Sequence, residues 1–459
     1  MTKDEFSLRL YKDCAVKPGA HVLAAVSGGA DSMALLCFLL EICDTYPLRL
    51  SCAHVEHGVR GAQSMEDMAF VREVCARNGV AFFAAHVDAP GYAEKHGCGL
   101  EDAARTLRYA FLYSAAEEAG ADVIALAHHA GDQAETVLLH AVRGCDMRGL
   151  CGMTYRSGRL VRPLLGCAPQ ELRAYLTSAG QQWREDATNA EVEYARNRIR
   201  HMVMPELERV NTGAADALCR LSRSAQRDED YFARQVDALD LRMTLLPHGG
   251  AFLREQLDGL HPALLSRALV RMAALSGLAP QSARAIQAIM QALEQEEASV
   301  NLTGGAHAVI GRKYLCLVRA DQSIGDTALA VPGVTDTPFG RFEVRAAAPD
   351  ETGDGKREQR MPARLLSGAV IGARRKGDTM IPFGRHTPVK VKKLMIDAGI
   401  ERAMRAGMPM LRSAEGEVLM VFGLRCAEAC RDARQEEQMI VRFCGGWPCA
   451  DGEQTIGRN

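Results

Sequence analysis

The hexapeptide Ser27-Gly28-Gly29-Ala30-Asp31-Ser32 stands between an apolar run, residues 21–26, and a segment of helical periodicity, residues 33–42. Two adjacent glycines let a chain turn sharply out of a strand and aim successive N–H groups at one point. The helix that follows adds the positive end of its dipole, and the Ser27 and Ser32 hydroxyls add donors. A strand, such a loop and a helix together predict a phosphate cradle, where a helix cap alone would need only one polar residue. The lysine of a G-x-x-x-x-G-K-[ST] loop is missing, so cleavage between β and γ phosphates is not the natural inference. Asp31 within an anion site makes chemical sense if Mg²⁺ bridges it to phosphate oxygens.

The cradle sits in a larger alternation. Strand-like runs at 48–55, 80–87 and 122–127 alternate with helical segments at 64–77, 101–119 and 132–142. This pattern predicts βαβ units and a mainly parallel sheet covered on both faces, with ligands at the carboxyl ends of its strands. From about residue 214 to 298 Ala, Leu, Arg, Gln and Glu dominate, and Leu265, Leu269 and Met272 share one helical face. Short strands at 300–302 and 314–318 close that region. Residues 321–360 hold Pro332, Pro338 and Pro349 with a polar run at 350–360, which reads as a linker. A last compact unit spans 361–445. At 459 residues the chain is long enough for roughly three domains.

Composition removes several function classes. Lys and Arg number 55 against 57 Asp and Glu, so the chain as a whole is not a basic polyanion binder. The cancellation is uneven: residues 361–445 carry 15 Lys or Arg against 9 Asp or Glu, whereas the remainder is acidic. Two Trp and 13 Phe argue against a binding mode built on many stacked aromatics. Charges interrupt the first twenty residues, and no run approaches the ~20 apolar residues of a membrane span, so a cytoplasmic protein without a membrane partner is expected. Fifteen cysteines with no C-x-x-C predict reduced thiols rather than a disulfide framework, zinc site or cluster.

Further segments narrow the chemistry. His54-Val-Glu-His-Gly-Val-Arg60 follows the second strand and Leu100-Glu-Asp-Ala-Ala-Arg-Thr-Leu-Arg-Tyr109 opens a helix. Ala127-His-His-Ala-Gly-Asp-Gln-Ala-Glu-Thr136 closes the fourth strand, and Trp183-Arg-Glu-Asp-Ala-Thr-Asn189 and Arg196-Asn-Arg-Ile-Arg200 come later. The histidines at 54, 57, 128 and 129 lack thiolate partners or an H-E-x-x-H frame, so contact with nucleotide or RNA suits them better than metal ligation, beside a purely structural role. Asp132 and Glu135 share one face of a first helical turn, where they would hold Mg²⁺, orient an amine or cap the helix. Arg105, Arg108 and Arg196 are placed to reach phosphate or RNA, with ion pairing as the plain alternative. Arg143, Arg148, Arg156, Arg159 and Arg162 form a possible RNA-facing strip. From Arg374 to Lys393 there are seven cations against Asp378, including Arg374, Arg375, Lys376, Lys390, Lys392 and Lys393. Such a patch holds an RNA backbone without reading bases.

The Ser27–Ser32 loop resembles that of the N-type ATP pyrophosphatases, and the order and spacing of the other segments resemble the tRNA(Ile)-lysidine synthetases over nearly the whole chain. The resemblance implies an α/β fold: a parallel-sheet PP-loop ATPase domain, adenine nucleotide alpha hydrolase-like, at 1–213, a mainly helical tRNA-contacting domain at 214–320, and a small α+β tRNA-binding domain at 361–445. It also implies a ligase that uses ATP and Mg²⁺ to join L-lysine to C2 of the wobble cytidine in a CAU-anticodon isoleucine tRNA, through an adenylated tRNA. The loop residues would bind ATP, Asp31 and Asp132 the Mg²⁺, and Asp31, Asp132, Glu135 and His129 would be catalytic. A homodimer is compatible with this reading. The chain departs from the family pattern at Gly131, where an aspartate is usual, and carries Glu56 where Asp or Asn is frequent. A tRNA cytidine thiolase and a non-catalytic tRNA-binding protein are the alternatives. The first conflicts with the missing C-x-x-C, the second with the gathering of loop, histidines and acids at strand ends.

Overall fold

The computed structural model describes residues 1–43, 45–56, 62–184, 195–319, 324–405, 407–431 and 436–444. It divides into two units, Met1–Asp230 and Tyr231–Asn459.

The first unit is built on six strands: β1 (His21–Ala25), β2 (Arg49–Glu56), β3 (Ala81–His86), β4 (Val123–Ala125), β5 (Arg156–Ser157) and β6 (Leu160–Val161), in spatial order β3-β2-β1-β4-β6-β5. All pairs are parallel except β5 with β6. Alternate residues of β1 explain its continuous apolar run. Val22 and Ala24 join a core with Met33, Leu36, Phe38 and Leu39, while Leu23 joins a second core with Leu112, Ala115 and Ile124. A strand buried on both faces has no polar side to show. The unit's helices up to residue 178 are α1 (Lys3–Leu8), α2 (Ala30–Cys43), α3 (Ala62–Arg77), α4 (Ala89–His96), α5 (Leu100–Glu118), α6 (Ala130–Val142), α7 (Met147–Leu150) and α8 (Pro169–Ser178), and Ala195–Arg198 and Met204–Val210 follow. Phe38 of α2 locks two of them in place, stacking on Phe6 of α1 and Tyr175 of α8 with ring centroids 5.0 and 3.8 Å away. Burying each such ring contributes roughly 1.5–3 kcal/mol.

After β3 the chain returns to the other side of β1 to form β4, so the strand order reverses between them. The loops leaving the carboxyl ends of β1 and β4 therefore flank a switch-point crevice, where open α/β sheets bind their ligands. The parallel sheet and its switch point agree with the expected α/β fold.

Two expectations about the rest of the chain need correcting. The first unit runs past residue 213, because the helix Ala214–Ala238 begins on it. There Cys219 donates to the Ala130 carbonyl at 3.3 Å, while Ser222 and Gln226 each donate to the Cys151 carbonyl at 2.7 Å. Nor is the following stretch built of helices alone. Beside the helices Pro262–Leu275 and Ala283–Ala292 lies a five-stranded antiparallel sheet that includes Met243–Leu246 and Gly249–Leu253. The second of these is nearly wholly buried and shows no alternation, and its glycine pair admits neighbours closely. A Cβ at Gly249 would stand 2.0 Å from the Leu317 carbonyl oxygen.

Residues 321–360 are likewise no simple linker. Gly333–Thr337 and Gly340–Ala346 form a hairpin whose second strand pairs with Gln438–Phe443. Phe342 and Val344 are buried between partly exposed Glu343 and an Arg345 paired with Glu351, and Phe342 meets Phe422 and Phe443 at centroid distances of 4.9 and 4.7 Å. This region belongs to the core of the last compact part of the chain.

Candidate active site and basic face

The loop after β1 has the conformation its glycines predict. Gly28 has φ +94°, a region costly for residues with a Cβ. The Ser27 N–H donates to Ser32 Oγ at 3.1 Å, Ser32 Oγ donates to the Gly29 carbonyl at 2.9 Å, and the two serine hydroxyls are 3.2 Å apart. These bonds close a tight ring around the turn. The amides of Gly28, Gly29, Ala30 and Asp31 donate to no backbone carbonyl among the described residues, as expected of a helix start. Two neighbours hold the loop from outside. His54 Nδ1 donates to the Val26 carbonyl at 2.9 Å, and the Arg184 amide donates to the Gly28 carbonyl at 2.9 Å. Burial pushes the His54 pKa down, which fits a neutral structural side chain rather than a ligand. His57, Asp186 and Asn189 lie outside the described residues.

Across the crevice, His129 caps α6. Its Nδ1 accepts from the amides of Gly131 and Asp132 at 3.0 and 3.3 Å, and Asp132 Oδ2 accepts from the His129 amide at 3.1 Å. An accepting Nδ1 puts the ring proton on Nε2. That nitrogen faces Asp31 Oδ2 at 3.5 Å and Asp132 Oδ2 at 3.6 Å. Burial opposes charge on this imidazole, but the two carboxylates prevail and raise its pKa. Thus Asp31, from the first loop, and Asp132, from the second, are brought to one point by His129.

Gly131 is part of this arrangement. A Cβ there would stand 2.8 Å from His129 Cε1 and 3.1 Å from Nδ1, so the family's usual aspartate does not fit beside the ring as it is placed here.

The carboxylates on α6 are occupied by arginines. Asp132 Oδ1 accepts from Arg196 at 3.0 Å and Arg200 at 3.1 Å. Both oxygens of Glu135 accept, one from Arg200 at 2.6 Å and the other from Arg196 and Arg200 at 3.0 Å each. Burial alone would raise the Asp132 pKa, but His129 and Arg196 beside it hold it below the usual range. Arg196 therefore meets carboxylates in this structure, and a phosphate or RNA contact would require it to leave them. Asp31 is different: its side chain is 39% exposed and Oδ1 makes no hydrogen bond among the described residues.

Sequence reading passed over the surroundings of His128. Its Nδ1 is buried and unpartnered, as is Nε of Arg162. Burial, reinforced against Asp132 by Arg162, Arg108 and Arg196, drives its pKa down to about 3, so the ring is neutral. Arg105 and Arg108 both lie over the Tyr109 ring, at 5.0 and 5.5 Å from its centroid. The arginine strip is mostly spent within the fold. Arg148 pairs with Asp146, whereas Arg156, Arg159 and Arg162 donate to backbone carbonyls. Arg143 of that set is exposed and makes no such bond among the described residues.

In the second unit the two cationic segments meet. Thr379–Met380 pairs antiparallel with Val389–Lys390, bringing Arg374, Arg375 and Lys376 beside Lys390, Lys392 and Lys393. Lys376, Lys390, Lys392 and Lys393 are exposed, while the Arg375 guanidinium is paired with Asp326.

Two family models match the chain: a PP-loop domain over residues 3–207 and a TilS substrate C-terminal domain over 369–443. The tRNA(Ile)-lysidine synthase of Geobacter sulfurreducens is 34% identical over 447 residues, covering 94% of this chain and 94% of its own. That of Symbiobacterium thermophilum is 32% identical over 429 residues, covering 86% of this chain and 88% of its own. That of Geobacillus kaustophilus is 29% identical over 445 residues, covering 92% and 94%.

Proposed function

The chain belongs to the tRNA(Ile)-lysidine synthase family, ATP-dependent ligases that form a carbon–nitrogen bond, and we propose that its first unit joins L-lysine to the wobble cytidine of a CAU-anticodon isoleucine tRNA. The observation that carries this reading at the site is the meeting of Asp31 and Asp132 at His129 Nε2, beside the open amides of the loop.

The open amides of Gly28, Gly29, Ala30 and Asp31 take the phosphates of ATP, with the Ser27 and Ser32 hydroxyls lining the same turn. Cytidine O2 attacks the α-phosphorus and pyrophosphate departs. The ε-amine of lysine then attacks C2, and AMP leaves with the O2 oxygen. A hard divalent cation takes oxygen ligands, and the free Oδ1 of Asp31 supplies one. A Mg²⁺ held there would supply positive charge to offset that on the leaving phosphates. Asp132, with Oδ1 given to two arginines, contributes at most through Oδ2. His129 holds both aspartates toward the crevice, and Glu135 anchors Arg196 and Arg200 beneath it.

The free amine must lose a proton before it attacks. Glu135 has no oxygen left to accept it, and His129 Nδ1 and Asp132 Oδ2 are both committed to the helix cap, which leaves the carboxylate of Asp31. Tethering of the tRNA falls to the basic face of the second unit. The second unit's charge makes that contact sensitive to salt. Among the described residues no helix is long and apolar enough to cross a membrane, and the free cysteines accord with a reducing, cytoplasmic setting.

Incubation with α-labelled ATP and unmodified tRNA, without lysine, tests the sequence of steps. Label should pass to the tRNA and be released as AMP once lysine is added. Asp31→Ala should abolish the transfer while tRNA binding survives; undiminished transfer would reduce Asp31 to a helix cap.

A further inference from the structure

Asp378 is the one acid among the seven cations from Arg374 to Lys393, and it is not at the surface as a counter-charge. It meets Arg412, whose side chain is 1% exposed and is among the largest fully buried ones described. The contact is bidentate, Arg412 Nη1 to Asp378 Oδ1 at 3.1 Å and Nη2 to Oδ2 at 2.7 Å. Arg412 Nη2 also donates to the Ala373 carbonyl at 3.0 Å, and Asp378 Oδ2 accepts from the Arg375 amide at 2.6 Å. One ion pair therefore holds the backbone at the start and in the middle of the Arg374-Arg375-Lys376 turn. On its other side, the Asp378 carbonyl accepts from the Val391 amide at 2.9 Å, at the start of the helix that carries Lys392 and Lys393. Asp378 thus joins both cationic segments to one buried guanidinium.

Burying an arginine and an aspartate is a poor way to gain stability, because desolvation offsets most of the attraction and an apolar pair of similar size does as well. What such a pair adds is fixed geometry: a planar fork accepts one carboxylate orientation, and here both partners also grip backbone. We propose that Arg412 and Asp378 are positioning residues for substrate RNA. They hold the 374–376 turn and the 390–393 segment as one preformed cationic face that docks the sugar-phosphate backbone of the tRNA. The inference rests on the reading that this face contacts tRNA. It adds that the contact depends on a buried pair that touches no RNA itself.

The test uses the full-length enzyme and steady-state kinetics with tRNA varied at several salt concentrations. The double variant Arg412→Met with Asp378→Leu removes the pair without stranding a buried charge, and Arg412→Lys keeps the charge but loses the fork. Positioning predicts that the double variant raises KM for tRNA about tenfold, with kcat at saturating tRNA and KM for ATP within about twofold of the parent. The slope of log KM against log salt should also flatten by one to two units, as two phosphate contacts are lost. Arg412→Lys should lie between parent and double variant, and it carries the test if the double variant does not fold. Unfolding alone would lower kcat by reducing active enzyme and leave the salt slope unchanged. Lys376→Ala and Lys392→Ala separate RNA contact by the face from its positioning by the pair. If both leave KM for tRNA unchanged, the reading of the basic face fails and the positioning role fails with it. If they raise KM while the folded pair variants keep the parental KM and slope, the face binds RNA but the pair does not position it.

Discussion

Replacing Glu135 with glutamine separates an anchoring role from a chemical one. The Glu135 side chain is 5% exposed and receives N–H groups from two guanidiniums, at 2.6, 3.0 and 3.0 Å. Glutamine keeps the volume and one acceptor but turns an amide N–H₂ toward arginine N–H groups. Breaking a buried ion pair by removing one partner costs about 3–5 kcal/mol. Two features lower that figure here. The arginine side chains are 25% and 33% exposed and so are partly screened, and Asp132 remains as a counter-ion at 3.0 and 3.1 Å. A loss of about 2–3 kcal/mol is expected. Urea unfolding measures it, with Trp183 fluorescence reporting the first unit in a Trp447→Phe background. The midpoint should fall with m unchanged. Activity should fall only as far as the Arg196–Arg200 segment is displaced, and the pH profile of the residual activity should keep its shape. If Glu135 is instead the proton acceptor, stability stays within about 0.5 kcal/mol of the parent. The rate then drops by ~10²–10⁴ and the profile loses a limb. That result would refute the anchoring role.

Three further outcomes follow from the same geometry. Gly131→Ala should place its Cβ against the His129 ring, removing a cap worth about 1 kcal/mol and slowing adenylation, as read by thermal unfolding and AMP transfer; unchanged values would mean the ring relaxes freely. His128, held neutral with its pKa pushed down to about 3, binds no proton in the fold between that pH and the ordinary histidine value near 6.5, whereas the unfolded chain does. Its contribution is therefore complete above about pH 6.5 and lost on acidification toward 3, and His128→Asn should flatten that part of a stability–pH curve. Exposed Cys98 should alkylate in the native protein, while Cys14, Cys316 and Cys430, pushed up to about 12 by burial, should react only after unfolding; mass spectrometry of iodoacetamide-treated peptides distinguishes them.

The catalytic unit was the more legible half of this sequence, for physical reasons. Strands buried on both faces and amphipathic helices leave opposite local patterns, and the glycine pair at 28–29 marks the turn between them. The second unit hides its strands differently. Gly249–Leu253 is a buried central strand made readable as anything by its glycines, and Phe342 with Val344 keeps a proper alternation within a stretch that prolines and charges make look loose. At the site, the residue types were legible but their partners were not. Nothing in the spacing from Asp132 to Arg196 tells that the two ion-pair at 3.0 Å, because tertiary packing decides that contact. The absence of an aspartate at 131 reads as a gap in the family pattern, whereas in the fold it makes room for the His129 cap.

The most direct test of the whole account supplies purified enzyme with ATP, Mg²⁺, labelled L-lysine and an unmodified CAU-anticodon isoleucine tRNA, and then identifies the wobble nucleoside after nuclease digestion. Lysine should be found bonded to C2 of that cytidine, with one AMP and one pyrophosphate released per lysine incorporated. A wobble cytidine that stays unmodified, or gains sulfur in place of lysine, would contradict it.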